Sequence, residues 1–248
     1  MKSVGTDFIN GTRYPDYSTF DCILGIPEPP AELPAPEGTT VIKLPNPKRI
    51  KVRDVPVREA IESWEPVTYF SRSSISLKEL SFLLWCTQGF RKTGPDHIQI
   101  RNTPSSGLRY PLETYFVAGE VDGLETGFYR YLPRSHSIVI ERLGSDIPFA
   151  MGDASMNFKI VTRAAVTFLW VGVPYRSVWA LGNRGYRSVL IEAGHTCQAL
   201  TMASACIGYQ VQPLDLFKDE MMLQLANLDP ETQWPVYMAA VGKVEREL

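Results

Sequence analysis

The chain has 248 residues, 44% of them hydrophobic, and a formal charge of −2. That length fits one large domain, or one domain with an extension. The near-neutral balance, without Lys/Arg runs, argues against a nucleic-acid or membrane-surface partner. No run of 18 apolar residues occurs, and the longest candidate, Ala164 to Val173, reads as a buried strand. Lys2, Ser3, Gly5 and Asp7 do not make a signal-peptide pattern. The four cysteines, Cys22, Cys86, Cys197 and Cys206, form no Cys-x-x-Cys pair. Metal ligation and a disulfide framework are therefore not expected, and His97 and His136 are too isolated to change that. Cys86 and Cys197 sit in apolar helical patterns, so buried free thiols in a reducing, cytoplasmic compartment are the expectation.

Residues 1–56 hold nine of the nineteen prolines. The run Ile26 to Pro36 lacks too many backbone donors for a helix or an inner strand. It reads as an extended arm, either disordered or, as the apolar anchors Val41 to Leu44 favour, packed on the body or on a second subunit, with a main domain over 57–248. Val57 to Ser63 reads as a short helix with Pro56 before its first turn. Ser76-Leu77-Lys78-Glu79 is a capping box opening an amphipathic helix that Gly89 stops. Strands follow at Glu113–Ala118, Phe128–Leu132 and Ser137–Leu143, the last two a hairpin, and near Ala164–Val173. Leu190 to Ile207 is apolar nearly all round and predicts a buried central helix with close-packing small residues. Lys218 to Leu225 reads as a surface helix and Pro235 to Val241 as a final strand. Helices mix with strands without regular βαβ alternation, so the expected class is α+β.

The densest signal is Asn102 to Tyr115, where Pro104-Ser105-Ser106-Gly107 precedes Pro111 and a strand. Two serines and a glycine let backbone approach a flat ligand closely. This turn resembles the Pro-Ser-Ala-Gly turn of the nitroreductase superfamily, nearest the SagB-type dehydrogenase branch. Leu77 to Gly89, Val121 to Pro133 and Glu192 to Leu200 resemble other segments of that family, in order. The resemblance implies an antiparallel-rich central sheet flanked by helices, and flavin mononucleotide (FMN) held between two subunits of a homodimer. It implies a flavin-dependent oxidoreductase acting on a small molecule or a peptide. The candidate cofactor-binding residues are Pro104, Ser105, Ser106, Gly107, Gln198, Asp215 and Lys243.

The chain departs from the family at Ala199, which replaces an asparagine, at Leu216, which replaces a glycine, and most consequentially in two further places. Where relatives carry an arginine cluster for the flavin phosphate, it has Trp64, Glu65, Pro66, Val67 and Thr68. Glu65 would repel a phosphate, at roughly 3 kcal/mol per charge pair about 5 Å apart at an effective dielectric near 20. Ala180 and Leu181 stand where azoline-oxidising relatives carry a Lys-Tyr pair, and neither can transfer a proton. No catalytic residue is assigned. The alternative reading is a flavin-free binding or regulatory partner of a competent homologue, as a heterodimer. His195 reads as a core histidine rather than a catalyst. Asp215 reads equally as a helix N-cap. Gln198 reads as a flavin contact or as a member of a buried polar network. Tyr110, Trp85 and Trp179 read as core or interface aromatics.

Overall fold

The structure, a computed structural model, describes residues 3–14, 16–93 and 99–244. The arm contributes α1 (Val4–Gly11) and β1 (Val41–Lys43). The body follows with α2 (Val57–Glu62), β2 (Ile75–Ser76), α3 (Leu77–Gln88), β3 (Phe90–Thr93), β4 (Gln99–Arg101), β5 (Leu112–Ala118) and β6 (Val121–Asp122). Next come β7 (Gly127–Leu132), β8 (Ser137–Leu143), α4 (Ile147–Ala154), α5 (Phe158–Val161), β9 (Val166–Gly172) and α6 (Tyr175–Leu181). The chain ends with α7 (Gly185–Ile207), β10 (Gln210–Leu214), α8 (Asp219–Leu225) and β11 (Trp234–Gly242). His97 lies outside the described residues.

One seven-stranded sheet, in the order β1-β8-β7-β5-β9-β11-β10, organises the molecule, and each neighbouring pair is antiparallel. Alternation sends Leu112 and Phe116 of β5 to one face and Tyr115 and Val117 to the other. The first face packs under α3 and α7, through Leu80, Leu84, Val189, Ala193 and Leu200. The second packs under α4 and α8, through Ile147, Met151 and Met222. β9 is buried along its whole length because both its faces are covered, which explains its unbroken apolar run.

The α+β class, the hairpin and the capping box hold. Ser76 Oγ accepts from Glu79 N at 3.2 Å, and Ser76 N donates to Glu79 Oε2 at 2.8 Å. Three expectations are corrected. The central helix starts at Gly185, where a Cβ would stand 2.6 Å from the Ser177 backbone of α6, so glycine allows the two helices to cross. This helix is not enclosed all round: Leu190, Ile191, Gly194, His195 and Gln198 are exposed along one side, so His195 is not a core residue. Cys86 is only half-buried, although all four cysteines are free. β10, which the sequence reading did not identify, is an edge strand, and that position tolerates Pro213.

The Pro-rich segment runs extended over the body, and the arm then supplies the edge strand β1, with Val41 opposite Val139. Arg187 of α7 holds α1 by donating to Thr12 Oγ1 at 2.7 Å and Ile9 O at 2.6 Å.

Candidate active site

The exposed side of α7 forms the floor of a groove. Gly194, Cys197, Gln198 and Thr201 lie beneath it, and Trp64, Pro213 and Tyr237 wall a cavity of about 250 Å³. These helical positions share one face because they are spaced by three and four residues. A Cβ on Gly194 would meet nothing within 4 Å, so packing within this chain does not require glycine there. Burial pushes the Cys197 thiol up to about 12, with the Tyr237 hydroxyl acting in the opposite direction. Burial likewise pushes Tyr237 up to about 12. Near neutral pH both groups are protonated, so the groove offers a thiol and a phenol as neutral hydrogen-bonding groups rather than a nucleophile.

Residues 64–68 are irregular backbone pinned to the edge strand. Trp64 Nε1 donates to Val211 O at 2.9 Å, and Val67 N donates to Gln212 Oε1 at 2.8 Å. The indole is thus fixed as a wall. An adjoining cleft of about 360 Å³ is lined by Arg53, Glu59, Ser63, Ala205, Tyr209, Gln210 and Lys243, among others. Ser63 precedes Trp64, and Ala205 lies one helical turn beyond Thr201, so the two hollows follow one another along α7. Arg53 pairs with Glu59 at 3.4 Å, and Lys243 Nζ lies 5.1 Å from the centre of the Tyr209 ring.

The Pro104–Gly107 turn is a separate feature of the surface, and none of its residues lines the groove. Pro104, Ser106, Gly107 and Leu108 are exposed. Gly107 has φ +64°, the left-handed region that glycine adopts without penalty, while Leu108 at +56° and Tyr110 at +48° adopt it against preference. Tyr110 N donates to Ser105 Oγ at 2.8 Å and closes the turn.

A buried ionic cluster lies beneath. Arg101 Nη1 donates to Gln88 Oε1 at 2.6 Å, and Gln88 Nε2 to Thr196 Oγ1 at 2.9 Å. Arg176 Nη2 pairs with Glu113 Oε1, and Arg130 Nη1 stands 3.9 Å from Glu113 Oε2. Glu192 of α7 is buried with neither carboxyl oxygen hydrogen-bonded. Burial pushes it up to about 7, opposed by the nearby Ser105 hydroxyl and by Arg101 and Arg176.

The candidate residues from the sequence therefore fall into groups. Pro104 to Gly107 sit together on the turn, while Gln198 lines the groove and Lys243 the cleft. Gln198 is exposed, and the buried amide network belongs to Gln88 instead. Asp215 is exposed just after β10 and does not cap α8, whose N-cap is Lys218. Tyr110 is buried, whereas Trp85 and Trp179 are half-buried. Arg101, Glu113, Arg176 and Glu192 were not anticipated. Their signal was a charge inside an apolar segment, as in Leu112-Glu113-Thr114-Tyr115 and Ile191-Glu192-Ala193.

The sequence pattern of the nitroreductase family matches residues 66–243. The chain belongs to the nitroreductase family. A protein of Methanocaldococcus jannaschii assigned to the nitroreductases is 27% identical over 205 residues, covering 83% of this chain and 97% of that one. Trifolitoxin-processing protein TfxB of Rhizobium leguminosarum bv. trifolii is 25% identical over 139 residues, covering 54% of this chain and 37% of that one. Among solved structures, a nitroreductase of Anabaena variabilis superimposes with a TM-score of 0.76 at 19% identity, over 97% of this chain and 46% of that one. The chain thus spans less than half the length of TfxB and of the Anabaena protein. The E. coli microcin synthetase McbBCD complex with truncated pro-MccB17 bound gives 0.64 at 18% identity, over 98% and 92%. A nitroreductase of Exiguobacterium sibiricum in complex with FMN gives 0.56 at 12% identity, over 80% and 95%. These similarities in structure establish the nitroreductase fold.

The groove of this nitroreductase-family chain fits one half of a flavin. Gly194 admits close approach, and the Gln198 amide can both donate and accept at a ring edge. The phosphate half finds no cation at 64–68, and Glu65 is exposed there. Among the described residues, cationic lining comes from Arg53 and Lys243 in the adjoining cleft.

Proposed function

We propose that this chain is an FMN-dependent oxidoreductase of the nitroreductase family, nearest its SagB-type branch, working as a homodimer in the cytoplasm. The observation that supports this reading best is the groove along α7, open at Gly194 and edged by Gln198 and Tyr237. Bound flavin supplies two-electron redox chemistry, while the protein supplies orientation and electrostatics. Gln198 hydrogen-bonds the ring edge, and Arg53 and Lys243 offset the phosphate charge. Tyr237 and Cys197 keep the pocket wall neutral. The turn 104–107 does not reach the groove of its own chain, so a flavin touching both features takes the turn from a second subunit. Gly194 lies on the same exposed strip as Leu190 and Ile191, which places the groove beside an apolar surface suited to that subunit. The substrate is a small molecule or a peptide. Azoline oxidation through a Lys-Tyr pair is not part of this proposal, because Ala180 and Leu181 end α6. The deciding experiment is the visible spectrum of purified protein, alone and after adding FMN. Yellow protein whose flavin survives gel filtration is expected, and colourless protein that takes up no flavin would sink the reading.

A second reading is favoured by the fixed Trp64 indole and by Glu65. Here the chain has lost the cofactor and serves as partner to a competent homologue, in line with the multi-protein complex in which the microcin synthetase neighbour was solved. Substituting Trp64→Arg, Glu65→Arg and Pro66→Ser together then creates FMN affinity absent from the parent. No gain in a titration would count against this reading.

A further inference from the structure

The Pro-rich arm and the Pro104–Gly107 turn share their anchors. Over residues 26–34 the arm is held mainly through its backbone. Trp179 Nε1 donates to Ile26 O at 2.8 Å, Arg176 Nε to Pro30 O at 2.7 Å and Arg101 Nη2 to Ala31 O at 2.9 Å. Arg130 donates to Leu33 O and Pro34 O, each at 2.9 Å, and Leu33 N donates to Glu113 Oε1 at 2.8 Å. Prolines 27, 29, 30 and 34 have no N–H, so carbonyls dominate what the segment offers, and arginines are suited to bind them. Gly25 and Gly38 bracket the segment, both at φ +76° with open space around them.

The same residues hold the turn. Arg176 Nη1 donates to Tyr110 O at 3.3 Å, and Arg101 N donates to Tyr110 Oη at 3.0 Å. Tyr110 N in turn bonds Ser105 Oγ. The shortest link runs through Arg109, whose Nη1 donates to Glu28 Oε1 of the arm and whose Nε donates to Gly107 O of the turn, both at 2.8 Å. The Arg109 guanidinium also lies 5.2 Å from the centre of the Trp179 ring, the same indole that binds Ile26 O. A turn with two non-glycine residues in left-handed backbone persists only where its surroundings hold it.

We propose that the 26–34 arm is a strap that sets the shape of the Pro104–Gly107 turn, with Arg109 as the positioning residue that joins the two through Glu28. Its consequence for a ligand rests on the flavin reading above, but the coupling itself does not. Two amides inside the turn report on it directly, because Leu108 N donates to Ser105 O at 3.1 Å and Arg109 N to Ser106 O at 3.4 Å.

The test uses full-length Glu28→Ala, Glu28→Gln and Arg109→Ala proteins. Glu28 is more than half exposed, so its loss leaves the fold intact even if the Arg109 variant fails to fold. Hydrogen exchange over residues 102–112 is read without any flavin present. Glu28→Ala is expected to speed exchange there about threefold to tenfold, the range for losing one partly buried charged hydrogen bond. Glu28→Gln keeps an acceptor for Arg109 and restores most of the protection, which a general loosening of the fold would not do. The thermal midpoint stays within a few degrees of the parent. Unchanged exchange at 102–112 in Glu28→Ala overturns the strap, as does faster exchange confined to 26–34. A parent protein that takes up no FMN while Glu28→Ala still loosens the turn overturns the flavin reading and leaves the strap standing.

Discussion

Glu192 is a carboxyl enclosed by α7, the turn and the arginine cluster; neither oxygen has a partner at hydrogen-bonding geometry, although the Ser105 hydroxyl is close enough to favour the charged form. Its folded-state value of about 7 lies above the ordinary 4.5, so the folded chain holds this proton more tightly than the unfolded chain does. Below about pH 4.5 the group is neutral in both states, and its contribution to stability is complete. As pH rises toward 7 the unfolded chain ionises first, and stability is lost. Above 7 the buried carboxylate persists, eased only in part by Arg101 and Arg176. A Glu192→Gln protein keeps the shape and removes the titration. The expected outcome is little difference from the parent at pH 4.5 and a gain of up to about 3 kcal/mol at pH 8, from 1.36 kcal/mol per pH unit over the shift. Urea unfolding of both proteins across that range is the check. Parallel stability curves would show that Glu192 is paired or hydrated in solution. The result bears on the turn as well, since the Ser105 hydroxyl lies beside this carboxyl.

The helix α7 carries a contradiction that its own chain does not explain. Glycine in a helix interior costs roughly 0.5–1 kcal/mol relative to alanine, yet Gly194 has open space where a Cβ would go. A Gly194→Ala protein is therefore expected to gain about that much stability, seen as a rise in thermal midpoint. If the groove holds a ring, the same change weakens FMN binding, because the methyl group enters the space above the helix. A gain in stability with undiminished affinity would show that the ring lies elsewhere. Much of this element was readable in the sequence. Ala199, Ala203 and Ala205 marked a closely packed helix, and Ser76, Glu79 and Gly89 bounded α3 to the residue. The start of α7 was less legible, because Tyr186 and Arg187 are not apolar and their helical state follows from packing on α6 and the arm. The candidate site was legible only piecewise. Gln198 and the turn could be identified as residue types, but Trp64, Gly194 and Tyr237 meet only once β10 and β11 are laid beside α7. The arginine cluster draws on positions 101, 130 and 176, a convergence that local periodicity does not encode.

At the scale of the molecule, the sheet and its two helical layers bury the apolar residues well, and the arm closes one side through hydrogen bonds. Part of what stays uncovered lies beside the groove. Leu190 is 52% exposed and Ile191 56% exposed, on the helix that also carries Gly194 and Gln198. Burying such side chains fully is worth about 1.5–3 kcal/mol each, so a second copy that covers them gains stability in proportion. The proposed flavin site calls for that copy for a separate reason, since the 104–107 turn does not line the groove within one chain. The proposed dimer and the proposed flavin site thus stand or fall together, and one variant addresses both. Leu190→Asp with Ile191→Asp places two charges on an exposed surface, where the fold of a single chain tolerates them, and opposes any apolar contact between chains. The parent is expected to sediment as a dimer of 27.8 kDa chains, and the variant as a monomer with an unchanged circular dichroism spectrum and no retained FMN. A parent that is monomeric and still holds FMN would separate the two proposals and place the whole site within one chain.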